Sequence, residues 1–122
     1  MRTSENVKVL RVYTSTTDKL KHTPLYEMIV FAARRNGLAG ATVFKGTMGF
    51  GSSSVVHSAK FWETNDKLPV VVEIVDEETK IDAFFEVIKP YLESVRYGCL
   101  VTKEDAKVML YKTGGKKTVF EL

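Results

Sequence analysis

Alternation of apolar and polar positions first appears at residues 7–14, VKVLRVYT. In an extended strand Val7, Val9, Arg11 and Tyr13 share one face, and Lys8, Leu10 and Val12 share the other. Both faces carry apolar residues, as expected when one side packs on helices and the other meets a partner surface. The period then changes. Leu25, Met28, Ile29, Ala32 and Ala33 recur at intervals of three and four and predict an amphipathic helix. Thr23 is its expected N-cap, with Pro24 at the first helical position. Asn36-Gly37 should end it, with Gly37 in the left-handed conformation that penalises a Cβ atom.

Residues 41–47, ATVFKGT, have the β-branched and aromatic content of a second strand. Residues 46–58, GTMGFGSSSVVHS, break every regular period and predict a mobile or ligand-shaped loop, with 59–62 as a short strand beyond it. The clearest strand is 68–75, LPVVVEIV, nearly continuous in apolar residues and therefore central or covered on both faces. Glu73 interrupts it, either to pair with a basic group near a subunit edge or to face water. Asp76 is the expected N-cap of the next helix, with Glu77 and Glu78 at its positive end. Ile81, Phe84, Phe85, Ile88, Tyr91 and Leu92 form that helix's apolar stripe, which passes through Pro90 and predicts a bend. After Gly98 come CLVT, a polar turn KED at 103–105, and a final strong strand AKVMLYK at 106–112. TGGKK is a turn, and TVFEL is a last short strand or a tail.

The order strand, helix, strand, loop, strand, helix, strand predicts an α+β sandwich built from split βαβ units, with both helices on one sheet face. The opposite face, with its Val, Leu and Phe residues, then needs an oligomeric partner. No repeat or linker divides the chain. It is expected to be one domain over 1–122, with its core at 7–112 and a short C-terminal extension.

Composition narrows the partners. Eighteen Lys or Arg oppose 15 Asp or Glu in 122 residues, and 44% of positions are hydrophobic, enough for a real core. The balance is +4 over residues 1–35, −4 over 67–94 and +3 over 95–122. Such a spread is a solvated surface rather than a nucleic-acid footprint, so no nucleic acid is expected as partner. The single cysteine, Cys99, makes no intrachain disulfide and reads as an inert core or interface residue. No apolar signal core or bilayer-length stretch is present, and a cytoplasmic protein without membrane insertion is expected.

The glycine-serine loop is the leading ligand site. Gly46, Gly49 and Gly51 allow backbone N–H groups to approach a phosphate, and Ser52, Ser53 and Ser54 add hydroxyls. Phe50 lies within it, and Lys45 and Lys60 flank it. His57 is a candidate contact or a loop-orienting residue, and His22 plays the lesser part of orienting the first helix. The segment lacks the spacing of a phosphate loop or a dinucleotide fingerprint, and an ordinary flexible loop explains the same composition. Lys112, Thr113 and Gly114, followed by Gly115, Lys116 and Lys117, form a second anion candidate, for which a solvated turn is the plainer explanation. His22, His57 and Cys99 lack metal-ligand spacing, so no metal site is expected. Asp76, Glu77 and Glu78 are explained as helix-start residues, and no catalytic set is evident.

Gly37-Leu38-Ala39-Gly40-Ala41-Thr42-Val43, followed by Gly46 and Gly49-Phe50-Gly51, resembles the PII signal-transduction superfamily. Thr23-Pro24-Leu25-Tyr26-Glu27, His57-Ser58 and the stretch from Leu68 to Asp76 resemble in particular its uncharacterised branch, domain of unknown function 190. The resemblance covers residues 7–112. It implies a ferredoxin-like βαββαβ fold, assembled as a homotrimer, with an adenine nucleotide (AMP, ADP or ATP) as effector in clefts between subunits. It also implies a regulated transporter, channel or enzyme. Gly49-Phe50-Gly51 resembles the start of the signalling loop, and Lys112-Thr113-Gly114 the basic turn after the last core strand. Residues 98–105 depart from the glycine- and lysine-rich phosphate loop of true PII proteins, and no modifiable loop tyrosine is evident. Classical nitrogen signalling is therefore not implied. Three functions compete: a metabolite-responsive sensor, a trimeric interaction module without an effector, and an enzyme, for which the residues offer least.

Overall fold

The computed structural model describes residues 6–52, 55–58 and 67–115. Chain order is β1 (Val7–Ser15), β2 (Lys19–Leu20), β3 (Thr23–Pro24), α1 (Leu25–Arg35), β4 (Thr42–Lys45), β5 (Met48–Gly49), β6 (His57–Ser58), β7 (Pro69–Glu77), α2 (Glu78–Ser94) and β8 (Leu100–Ala106). The four longer strands form one antiparallel sheet in the order β4-β7-β1-β8. With α1 and α2 as crossovers, this is the βαββαβ ferredoxin-like sandwich that the order of periods predicts.

Strand alternation sets the two faces. Leu10 and Val12 of β1 lie opposite Ile74 and Val72 of β7, and all four are buried in the core. Leu25, Ile29, Ala32 and Ala33 of α1 cover them, together with Ile81, Phe84, Ile88 and Leu92 of α2. Both helices therefore sit on one side. The other side carries Tyr13, Val71 and Val75, with Phe44 52% and Leu100 56% exposed at its two edges. Arg11 crosses the middle of this bare face, donating to Glu73 at 3.0 Å and pairing with Glu104. Glu73 thus interrupts an apolar strand because it meets Arg11 on the neighbouring strand.

Local details differ from the expectations in three places. Thr23 does not cap α1: Thr23 and Pro24 pair with Leu20 and Lys19, and the Leu25 N–H donates to the Asp18 backbone carbonyl at 2.8 Å. The other end behaves as expected, with Gly37 at φ +74° and the Leu38 N–H closing on Ala33 O at 3.1 Å. Asp76 is not an N-cap either. It is buried at the end of β7, where its carboxylate accepts the Ala39 N–H at 2.8 Å and the Glu77 N–H at 2.7 Å. As the apolar stripe predicts, helix α2 passes through Pro90 and continues to Ser94.

The last correction is the largest. Lys103, Glu104 and Asp105 do not form a turn; they lie inside β8, and residues 107–112 are not a strand. Charge looked like a turn signal, but each of these side chains has a cross-strand or helix partner. Lys103 donates to Asp82 at 3.0 Å and Glu78 at 3.2 Å, Glu104 pairs with Arg11, and Asp105 with Lys8. That last bond holds the Asp105 carboxyl below its ordinary value. Residues 59–62 and 116–122 lie outside the described residues.

Candidate functional site

The loop after β4 is less irregular than its composition suggests. Met48 and Gly49 pair antiparallel with Ser58 and His57, so β5 and β6 form a small ladder at its base. Gly46 is held at its start, its N–H donating to Pro69 O at 2.7 Å. A Cβ built on Gly46 would lie 2.7 Å from the Pro69 ring carbon Cγ, so only glycine lets this strand end close on β7.

Gly49, Phe50, Gly51 and Ser52 then arch over the end of the sheet and line a cleft of about 570 Å³ with His57. The far wall is Arg96, Tyr97 and Gly98, the turn between α2 and β8. The two walls nearly touch: a Cβ on Gly98 would lie 2.6 Å from Ser52 Oγ. Tyr13, Ser15, Leu68 and Pro69, from the adjoining ends of β1 and β7, contribute the floor. The Arg96 guanidinium stands over the Tyr97 ring, 5.2 Å from its centroid, a cation–π arrangement that orients it.

Asp18 and Lys67 complete the cleft. Asp18 is 3% exposed. Its Oδ2 accepts the Thr14 hydroxyl at 2.9 Å, while Oδ1 faces the Lys67 ammonium at 3.6 Å without a hydrogen bond. The lining is therefore cationic (Lys67 and Arg96) and aromatic (Tyr13, Phe50 and Tyr97), with one buried carboxylate and the imidazole of His57. Cys99 adjoins it. This cysteine is exposed rather than part of the core expected for it; partial desolvation pushes its thiol pKa up, and the negative Asp18 adds to the shift, which opposes thiolate chemistry at neutral pH.

Of the residues expected at a ligand site, Gly49, Phe50, Gly51, Ser52 and His57 come together here. Lys45 and Gly46 lie outside the lining, on β4 and just after it. Lys112, Thr113 and Gly114 follow β8 and do not line the cleft either. Ser53, Ser54 and Lys60 lie outside the described residues. Sequence reasoning missed Tyr13, Asp18, Lys67, Arg96 and Tyr97. The dipeptide Arg96-Tyr97 before Gly98 is a signal that was available; the burial of Asp18 was not. Among the described residues no group of three His, Cys, Asp or Glu side chains is placed to hold a metal ion. No helix there is long and apolar enough to cross a membrane.

The sandwich has the PII-like fold. A putative PII-like signaling protein from Thermus thermophilus superposes with a TM-score of 0.60 at 15% identity, covering 84% of this chain and 88% of that one. The nitrogen regulatory PII-like protein CPII from Thiomonas intermedia, solved bound to ADP, AMP and bicarbonate, superposes at 0.57 and 16% identity, covering 87% and 96%. Sequence reaches further into one branch. The chain belongs to the family DUF190, described as Uncharacterized ACR, whose model matches residues 7–108. A UPF0166 protein of Aquifex aeolicus is 38% identical over 102 residues, covering 84% of this chain and 92% of that protein. Another, from Methanocaldococcus jannaschii, is 36% identical over 86 residues, covering 67% and 79%.

Proposed function

We propose that this protein is a cytoplasmic PII-like regulatory protein that binds an adenine nucleotide (AMP, ADP or ATP) and signals to a protein partner such as a transporter, channel or enzyme. The cleft is completed between the subunits of a homotrimer, and the chain is not a catalyst. The observation that carries the reading is the pairing of Lys67 and Arg96 with Tyr13, Phe50 and Tyr97 in one cleft beneath the Gly49–Ser52 arch. Cations answer phosphate and the aromatic side chains offer stacking surfaces for a base. The buried Asp18 carboxylate complements an amine or hydroxyl, and an adenine nucleotide carries both. The arch is then the natural reporter, since it is the part of the cleft a ligand displaces. The bare sheet face, with Phe44 and Leu100 exposed, supports assembly.

Isothermal titration with AMP, ADP, ATP, cyclic nucleotides and 2-oxoglutarate tests the effector. Binding of an adenine nucleotide is expected, weakened at least tenfold by Arg96→Ala, about 1.4 kcal/mol. If no phosphorylated ligand binds at millimolar concentration, the trimeric interaction module without an effector takes its place. Light scattering tests the assembly itself.

A further inference from the structure

The end of β1 and the turn after it, Thr14-Ser15-Thr16-Thr17-Asp18, hold one carboxylate in a fixed place. The Asp18 N–H donates to Ser15 O at 3.4 Å, its own carbonyl accepts the Leu25 N–H at 2.8 Å, and its Oδ2 accepts the Thr14 hydroxyl at 2.9 Å. Thr16 and Leu68 bond in both directions. The Thr16 N–H donates to Leu68 O at 2.9 Å and the Leu68 N–H to the Thr16 hydroxyl at 3.1 Å, which sets Lys67 beside the turn. Asp18 Oδ1 is buried with no hydrogen-bond donor among the described residues, and the Lys67 ammonium stands 3.6 Å away, beyond hydrogen-bond reach. A buried acceptor without a donor costs stability, and a ligand that supplies the donor recovers it.

We infer that Asp18 Oδ1 and Lys67 Nζ read the base of the nucleotide, as acceptor and donor for the amino edge of adenine. Adenine presents its 6-amino N–H beside an unprotonated ring nitrogen, N1 on one edge and N7 on the other. An asparagine side chain answers such an edge with its carbonyl oxygen and its amide; Asp18 and Lys67 offer the same two functions from two residues. The Lys67 side chain is 41% exposed on a flexible stem and that of Asp18 only 4%. The lysine therefore gives way to admit the amine to Oδ1, and its ammonium stays close for the ring nitrogen. A ribose diol and a guanine edge each set two donors side by side, which both oxygens of a carboxylate would answer, whereas Oδ2 is committed to Thr14. The phosphate then falls to Arg96, which lines the same cleft and has no carboxylate partner among the described residues. A phosphate at Lys67 would instead lie against the Asp18 carboxylate, like charge to like. The inference rests on the nucleotide proposed above and assigns the residues that select its base.

Base and sugar analogues test it by isothermal titration, each carried on the phosphate chain that binds tightest in the titration above. The wild-type protein should bind the adenine nucleotide at least about tenfold more tightly than the purine riboside nucleotide, which lacks the 6-amino group. It should bind the 2′-deoxyadenosine nucleotide nearly as tightly as the parent. That comparison needs no variant to fold. Asp18→Leu, close in size and without an acceptor, should bring the amino-group ratio to about one. The nucleotide-to-adenosine ratio reports the phosphate: Arg96→Ala should reduce it, and Lys67→Met should leave it as in the wild type. Equal wild-type binding of the adenine and purine riboside nucleotides overturns the inference and leaves the nucleotide reading standing. So does an Asp18-dependent loss with the 2′-deoxy sugar instead, an Asp18→Leu variant that weakens every analogue equally, or a phosphate ratio that collapses in Lys67→Met. Failure of every nucleotide to bind removes the reading and the inference together.

Discussion

Removing the Asp76 carboxylate should destabilise the fold through a clamp rather than through a helix cap. Asp76 is 1% exposed and accepts two backbone N–H bonds, from Ala39 at 2.8 Å and Glu77 at 2.7 Å. The first ties the turn after α1 to the end of β7, across 37 positions of sequence. A hydrogen bond to a charged acceptor contributes about 1.5–3 kcal/mol, and the adjacent Glu77 bond is local and worth less, so Asp76→Ala should cost about 2–4 kcal/mol. For a chain of this length each kcal/mol moves the midpoint by roughly 4 °C, which puts the expected fall at about 8–15 °C. Asp76→Asn keeps one acceptor and should lose about half as much. Asp76→Ser separates the two explanations. Serine is as good an N-cap as aspartate, so a cap would tolerate it, whereas its single short hydroxyl cannot satisfy both amides. Urea denaturation followed by circular dichroism, at two protein concentrations to hold the assembly term fixed, gives the free energies. An Asp76→Ala cost below about 0.5 kcal/mol, or a Ser variant as stable as the parent, would refute the clamp.

Pro90 sits inside α2 on an exposed position, so Pro90→Ala should stabilise the protein by about 1–3 kcal/mol by thermal or urea unfolding, and a neutral or negative change contradicts a continuous helix. Gly46→Ala should cost about 1–3 kcal/mol, because its Cβ meets the rigid Pro69 ring at 2.7 Å; wild-type stability would mean that β4 ends elsewhere. Partial desolvation and the Asp18 charge both disfavour the thiolate of the exposed Cys99, so iodoacetamide should react slowly at neutral pH and accelerate with a midpoint above the ordinary thiol value. Asp18→Asn removes the negative neighbour and should move that midpoint down; an unchanged profile would separate Cys99 from the acid wall of the cleft.

Much of the fold was legible along the chain. The 3.6-residue stripes of α1 and α2 and the period of β1 reflect which side of each element must leave water, and Leu10, Ile29, Phe84 and Ile88 duly form the core. Gly37 was legible because its φ of +74° is a local requirement. The site was legible only in part. Glycine and serine marked the arch at Gly49–Ser52, since a tight turn needs those residues whatever it faces. The opposite wall, Arg96 and Tyr97, comes from a turn 44 or more positions later, and no local period announces such a meeting.

Tertiary structure decided where the charges went. Taken alone, KED at 103–105 looks like a turn and Asp76 like a helix N-cap, because free charges seek water. In the folded chain Lys8, Arg11, Asp82 and Glu78 supply partners for Lys103, Glu104 and Asp105, and two backbone amides supply them for Asp76. Paired charge becomes compatible with an edge strand, and a carboxylate with burial. The sequence by itself thus determined the faces that are apolar, since that depends on each residue and its near neighbours. Which polar groups are satisfied depends on what arrives from elsewhere, and only the assembled sheet and helices settled that for β8, Asp76 and the cleft around Asp18.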